Sequence, residues 1–158
     1  MKAKKTNQSG FTLIELIVVI TILGILSALA LPRFAALQTD ARMAKMNGAL
    51  GSIKASAVLS HSIQLTQQLA PGASVAMEGS LITMANGYPL ASNVSVGHAA
   101  GFATLAGVAF SDFTLSSGGG VFTVTPDASH AACSVTYTEP AAGFAPTYSS
   151  AGVTSVNC

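Results

Sequence analysis

After Lys54 the chain contains no lysine and no arginine as far as Cys158. Proteins that grip nucleic acid through several phosphates need clustered cations, and most of this chain has none, so nucleic-acid binding is not expected. Trp is absent, aromatic residues are 6% of the chain and charged residues 8%, so the polar surface must come from Ser, Thr, Asn and Gln. Low charge is not disorder here, because half of the residues are hydrophobic. Acidic residues are also few, and His61, His98 and His130 lie far apart, without the close spacing of a zinc motif or the acids of a calcium loop. Neither a metal nor a cofactor is expected. Asp127-Ala128-Ser129-His130 holds the residue types of a nucleophilic triad, but four in a row beside Pro126 read as a turn, and no catalysis is expected.

What is present is concentrated near the start. Lys2, Lys4 and Lys5 precede an apolar run from Phe11 to Leu31, interrupted early by Glu15. At about 1.5 Å per residue that run makes roughly 31 Å of helix, close to the roughly 30 Å hydrocarbon thickness of a bilayer. The basic leader should stay cytoplasmic and the remainder face outward, although Arg33, Arg42, Lys45 and Lys54 beyond the run weaken that asymmetry. A cleaved secretory signal is a competing reading, with lysines as its basic region and Ala28-Leu29-Ala30 as its cleavage site. Glu15 and Pro32 speak against it.

Glu15 itself admits two readings. Thr12-Leu13-Ile14-Glu15 has the spacing of a capping box, in which a hydroxyl and a carboxylate satisfy each other's backbone N–H groups. A charged side chain in hydrocarbon is costly, however, and commonly marks a partner. If the chain were cut between Gly10 and Phe11, the new α-amino group would supply the matching cation, from the same molecule or a neighbour.

The string Gly10-Phe11-Thr12-Leu13-Ile14-Glu15, after a short lysine-bearing leader and before an unbroken apolar stretch, resembles the class III signal of type IV pilins and pseudopilins. The resemblance implies that a prepilin peptidase cuts after Gly10 and methylates the amine of Phe11, leaving the apolar helix in place. It implies that Glu15 pairs with the N-terminal amine of an adjacent subunit during assembly by an inner-membrane machinery. Pro32 and Gly24 fall where such pilins loosen their helix on assembly. Leu31-Pro32-Arg33-Phe34, the segment Leu37–Arg42 and Asn86-Gly87-Tyr88-Pro89 look most like the mannose-sensitive haemagglutinin type. On this resemblance the chain is a major pilin. It sits in the bacterial inner membrane before assembly, then in an extracellular homopolymer serving adhesion, surface motility or biofilm attachment. A type II secretion pseudopilin shares the same N-terminal signal and is the alternative; a secreted non-filament domain released from a signal peptide is the second.

The expected fold is α+β, a long N-terminal helix packed against a C-terminal antiparallel sheet. The expected segments are a leader over 1–10, a membrane and filament-core helix over 11–32 and an amphipathic half over 33–62. A connecting region over 63–107 and a sheet with a disulfide-bounded loop over 108–158 follow. Met43, Met46, Leu50, Ile53 and Ala57 recur at three and four residues and mark the core-facing stripe of the second half, with Arg42 and Lys45 solvated beside it. Pro32 should interrupt or bend the helix. Strands are expected over Val108 to Leu115, Val121 to Thr125 and Cys133 to Thr138, with a last edge strand over Val153 to Val156. Cys133 and Cys158 are the only cysteines. Buried free thiols are conceivable, but in a chain that leaves the cytoplasm a disulfide is favoured, worth roughly 3 kcal/mol and pinning the C-terminal segment. The pilin resemblance implies that residues 133–158 form an exposed, variable loop. Asn93-Val94-Ser95 matches an N-glycosylation sequence, a match that is common by chance.

Overall fold

The computed structural model describes residues 10–77, 79–103, 107 and 112–158. Residues 1–9 of the expected leader and 108–111 of the first expected strand lie outside that set. The chain divides into two compact units, Met1–Gln38 and Thr39–Cys158.

One helix, α1, runs over Leu13–Thr66. It is continuous through Gly24 and Pro32, so the expected interruption at Pro32 is absent from the subunit. Proline removes its own N–H donor from the helical ladder and crowds the preceding turn, but the preceding Ala-Leu-Ala-Leu stretch has high helix propensity, and the helix runs on. The helix ends four residues later than expected, and the sequence beyond it shows why. Gln68 adopts a left-handed φ of 54°, Leu69 N–H donates to the Gln64 carbonyl at 3.1 Å and Gln68 N–H to that of Leu65 at 3.1 Å. These are the two bonds of a Schellman stop.

In the unit Thr39–Cys158 the connecting region folds as two small hairpins, β1 (Val75–Met77) with β2 (Ser80–Ile82) and β3 (Met84–Ala85) with β4 (Tyr88–Pro89). Asn86 and Gly87 form the β3–β4 turn with φ of 52° and 93°, the two positive values that a two-residue hairpin with matching twist requires. A π-helical turn, Asn93–Gly97, follows, opened by Ser92, whose hydroxyl accepts from the Ser95 N–H. The main sheet is an antiparallel meander of β5 (Thr114–Gly118), β6 (Val121–Thr125), β7 (Val135–Thr138) and β8 (Thr147–Ser149). Its register pairs Phe122 with Tyr137 and Val124 with Val135. Alternate residues therefore share one face, and Phe122, Val124, Val135 and Tyr137 are all fully buried.

That face meets α1. Met46, Ala49, Ile53 and Ala57 lie in one apolar cluster with Val96, Phe102, the inward sheet residues and both cysteines. The seam differs from the expected stripe in two ways. Met43 and Leu50 flank it half-buried, and it continues through Ser56, Ser60 and Gln64, which are buried although polar. Each satisfies itself locally: Ser56 Oγ donates to the Ile53 carbonyl at 2.9 Å, Ser60 Oγ to that of Ser56 at 2.6 Å and Gln64 Nε2 to that of Ala70 at 2.7 Å. Burial without an unpaired group removes the usual penalty. Gly48 and Gly51 face away from this core, with nothing within 4 Å of where a Cβ would stand.

Cys133 and Cys158 are joined by a disulfide with a Cα–Cα distance of 4.8 Å. The edge strand expected at Val153 to Val156 is a turn; β8 instead forms at Thr147–Ser149, inside the disulfide loop. The loop's span is set by the disulfide anchoring Cys158 beside the start of β7, which leaves residues 147–149, and not 153–156, opposite β7.

Candidate membrane-anchoring and assembly segment

Among its described residues the N-terminal unit has no core of its own. Every large apolar side chain from Phe11 to Leu37 is exposed, from 48% at Val18 to 91% at Phe11. Water does not tolerate so long an apolar surface on a single helix, so it must be covered by lipid or by other protein. The helix is long and apolar enough to cross a membrane. The mid-span hydroxyl of Thr21 is internally satisfied: its Oγ1 donates to the carbonyls of Ile17 at 3.0 Å and Val18 at 2.8 Å.

At its start the polar groups are assembled differently. Gly10, Phe11 and Thr12 are non-helical and lead directly into α1. Thr12 N–H and Thr12 Oγ1 both donate to Glu15 Oε2, at 2.9 and 2.7 Å, and the Glu15 N–H reaches back to Thr12 Oγ1 at 3.3 Å. The capping box is therefore formed. It satisfies orphan N–H groups of the first turn and sets a negative charge at the positive end of the helix. It also holds the carboxylate one turn from the Gly10–Phe11 bond, still exposed to a second partner.

This is a prokaryotic N-terminal methylation motif. The family pattern of that description matches residues 5–31, which covers the Gly10–Phe11 bond, Glu15 and the apolar run. Such a motif implies prepilin peptidase processing and polymerisation, and with the apolar helix it fits anchoring in a membrane before assembly. The chain is also 48% identical over 52 residues to "Type II secretion system core protein G" of Pseudomonas aeruginosa. The match takes in 33% of this chain and 34% of that protein, so the chain spans about a third of the length of the relative it matches. No solved structure matches this chain. The methylation motif is thus similar at the N-terminus to the class III signal of type IV pilins and pseudopilins, and does not separate the two.

The other polar candidates are engaged in local contacts of the fold. His61 Nδ1 donates to the Gly87 carbonyl at 2.7 Å and stacks on Tyr88 with ring centroids 4.2 Å apart. His98 Nδ1 donates to the Ala103 carbonyl at 2.9 Å, and its Nε2 lies 2.9 Å from Ser80 Oγ. Asp127 caps a short 3-10 turn over Ala128–His130, accepting from the N–H groups of Ser129 and His130 and from His130 Nδ1 at 2.8 Å. The His130 ring, and then the two backbone donors working against desolvation, hold the Asp127 carboxyl below its ordinary value. The Asp-Ser-His string is thus a capped turn. Among the described residues, no three His, Cys, Asp or Glu side chains gather where a metal could sit. Asn93 donates to the Gly107 carbonyl and Ser95 is buried, so the glycosylation string is engaged in the fold.

Two residues expected to be merely solvated are anchors. Arg42 Nη1 donates to the main-chain oxygen of Cys158 at 2.6 Å. Lys45 Nζ donates to the main-chain oxygens of Asp112 and Pro126 and stands 4.3 Å from the Phe113 ring centroid. Their position beside Met43 and Met46 was a signal that they border the core; which carbonyls they meet is a tertiary matter.

Proposed function

We propose that this chain is the major structural subunit of a type IV pilus similar to the mannose-sensitive haemagglutinin kind. Its role is mechanical and not enzymatic. After cleavage between Gly10 and Phe11 and methylation of the new amine, Glu15 engages the amine of a neighbouring copy, and the apolar helix passes from lipid into a bundle of identical helices. The sheet and the disulfide loop are then displayed outside. The observation that carries this reading is the wholly exposed apolar surface from Phe11 to Leu37 behind a methylation motif. A helix of that kind needs the cover of lipid or of other protein, and identical helices in a bundle would supply the second.

A second reading is a type II secretion pseudopilin, which would form a short periplasmic fibre; the match to a type II secretion core protein favours it. Intact-mass and N-terminal analysis of the mature chain, with electron microscopy of cells, tests both. A methylated Phe11 with long surface fibres supports the pilus. A methylated Phe11 with no fibre beyond the envelope supports the pseudopilus, and a mature chain starting near Leu31 rejects both.

A further inference from the structure

Near the end of α1, His61, Gln64 and Leu65 lie three and four residues apart and so share one side of the helix. With Leu69, Pro71 and the β3–β4 turn at Gly87 they line a cavity of about 310 Å³. Two acceptors there lack donors. Gln64 is 2% exposed, and its Nε2 reaches two carbonyls, Ala70 at 2.7 Å and Ala73 at 3.4 Å, so the amide can be set only one way and Oε1 is the atom left over. His61 Nδ1 is committed to the Gly87 carbonyl, which makes it the protonated nitrogen and leaves Nε2 with a lone pair. Among the described residues, neither Gln64 Oε1 nor His61 Nε2 receives a hydrogen bond. Both side chains border Gly87, where a Cβ would stand 3.4 Å from His61 Nδ1 and 3.5 Å from Gln64 Oε1.

We propose that this cavity binds a primary alkylammonium ion, its –NH3+ group donating to Gln64 Oε1 and His61 Nε2 and its hydrocarbon stem lying along Leu65, Leu69 and Pro71. The local field selects the charge. The carbonyl end of a helix carries roughly half a negative elementary charge, and the last turn of α1 holds no basic residue to balance it. No lysine or arginine follows Lys54 in the sequence. An anion would meet two lone pairs and the negative end of the helix, and a wholly apolar ligand would leave the buried Gln64 oxygen unpaired. An ammonium group has three donors and no acceptor, the complement of what the cavity presents. A free amine and a lysine side chain share this chemistry. The inference does not depend on the filament reading.

The test is calorimetry on the full-length chain in a non-ionic detergent, with n-butylammonium, n-butanol and n-butyrate as probes and the ring resonances of His61 as a second readout. The ammonium should bind saturably and shift the His61 signals; the alcohol and the acid should do neither. His61→Phe keeps an aromatic ring against Tyr88 and removes the Nε2 acceptor, so binding should weaken roughly tenfold or more. Leu65 is 63% exposed and can be changed without disturbing the core. Leu65→Lys supplies a tethered ammonium and should block the added one, whereas Leu65→Met should bind it as the unaltered chain does. Nα-acetyl-lysine amide separates the sources: binding of both probes admits a lysine from a protein partner, and binding of n-butylammonium alone assigns the cavity to free amines. No response to n-butylammonium, an equal response to n-butanol, or unaltered affinity in either His61→Phe or Leu65→Lys overturns the proposal and leaves the filament reading standing.

Discussion

Arg42 and Cys158 are joined by a hydrogen bond of 2.6 Å from the guanidinium to the main-chain oxygen, although they lie 116 residues apart. The contact ties α1 to the segment that the Cys133–Cys158 disulfide already holds, so the same end of the chain is fastened once by a covalent bond to β7's approach and once by charge to the helix. Charge-assisted bonds of this kind are worth about 1.5–3 kcal/mol when partly buried. Arg42→Ala in the full chain in detergent should therefore lower unfolding stability by about 1–2 kcal/mol, and Arg42→Lys should recover part of it. Chemical denaturation followed by tyrosine fluorescence reads the difference.

Loss of the disulfide is expected to cost about 3 kcal/mol by loop entropy. Cys133→Ser with Cys158→Ser should give a chain that still inserts into membrane, because α1 up to Leu37 makes no use of that bond. Limited proteolysis of the variant should cut between residues 139 and 158 well before the native chain is cut. Equal resistance of the two would mean that β8 and Arg42 suffice to hold the loop.

Glu15→Ala is expected to leave membrane insertion intact and to abolish polymer. The residue does two things, capping α1 with Thr12 and presenting a carboxylate, and a second variant separates them. Thr12→Val removes the side-chain half of the cap, at a cost of about 1 kcal/mol to the first turn, and keeps the charge. Fibres from the Thr12 variant together with none from the Glu15 variant would assign the requirement to the carboxylate. Fibres from both would remove Glu15 from assembly.

Tyr137 is fully buried, and its hydroxyl donates to the Pro89 carbonyl at 2.6 Å. Burial first, and then the nearby Tyr148 and Glu139, raise its pKa above the ordinary value. The folded state therefore holds this proton more tightly than the unfolded chain, so stability is full below the unfolded value near 10 and declines as pH rises through it. Absorbance titration should show Tyr137 ionising only with unfolding. Tyr137→Phe should lessen the alkaline decline, leaving the part due to Tyr148, whose pKa burial also raises, and lower stability at neutral pH by about 1 kcal/mol, because the Pro89 carbonyl loses its donor.

Local order carried much of the fold. The period of Met46, Ile53 and Ala57 placed the core side of α1, the alternation of Cys133, Val135 and Tyr137 placed the inner face of the sheet, and the Thr12–Glu15 spacing announced the cap that is found. Two of the errors share a cause. Ser56, Ser60 and Gln64 were invisible as core because their suitability depends on carbonyls supplied by the folded backbone. Val153 to Val156 has the composition of a strand, but pairing with β7 is awarded by where the disulfide leaves the chain.

The sequence alone determined that an apolar helix begins just after Gly10 and carries one acid in its first turn, because those properties belong to neighbours along the chain. Tertiary structure decided which polar side chains enter the core, which carbonyls Arg42 and Lys45 hold, and which residues close the sheet. Those outcomes depend on distances between residues far apart in sequence, and no local pattern encodes such distances.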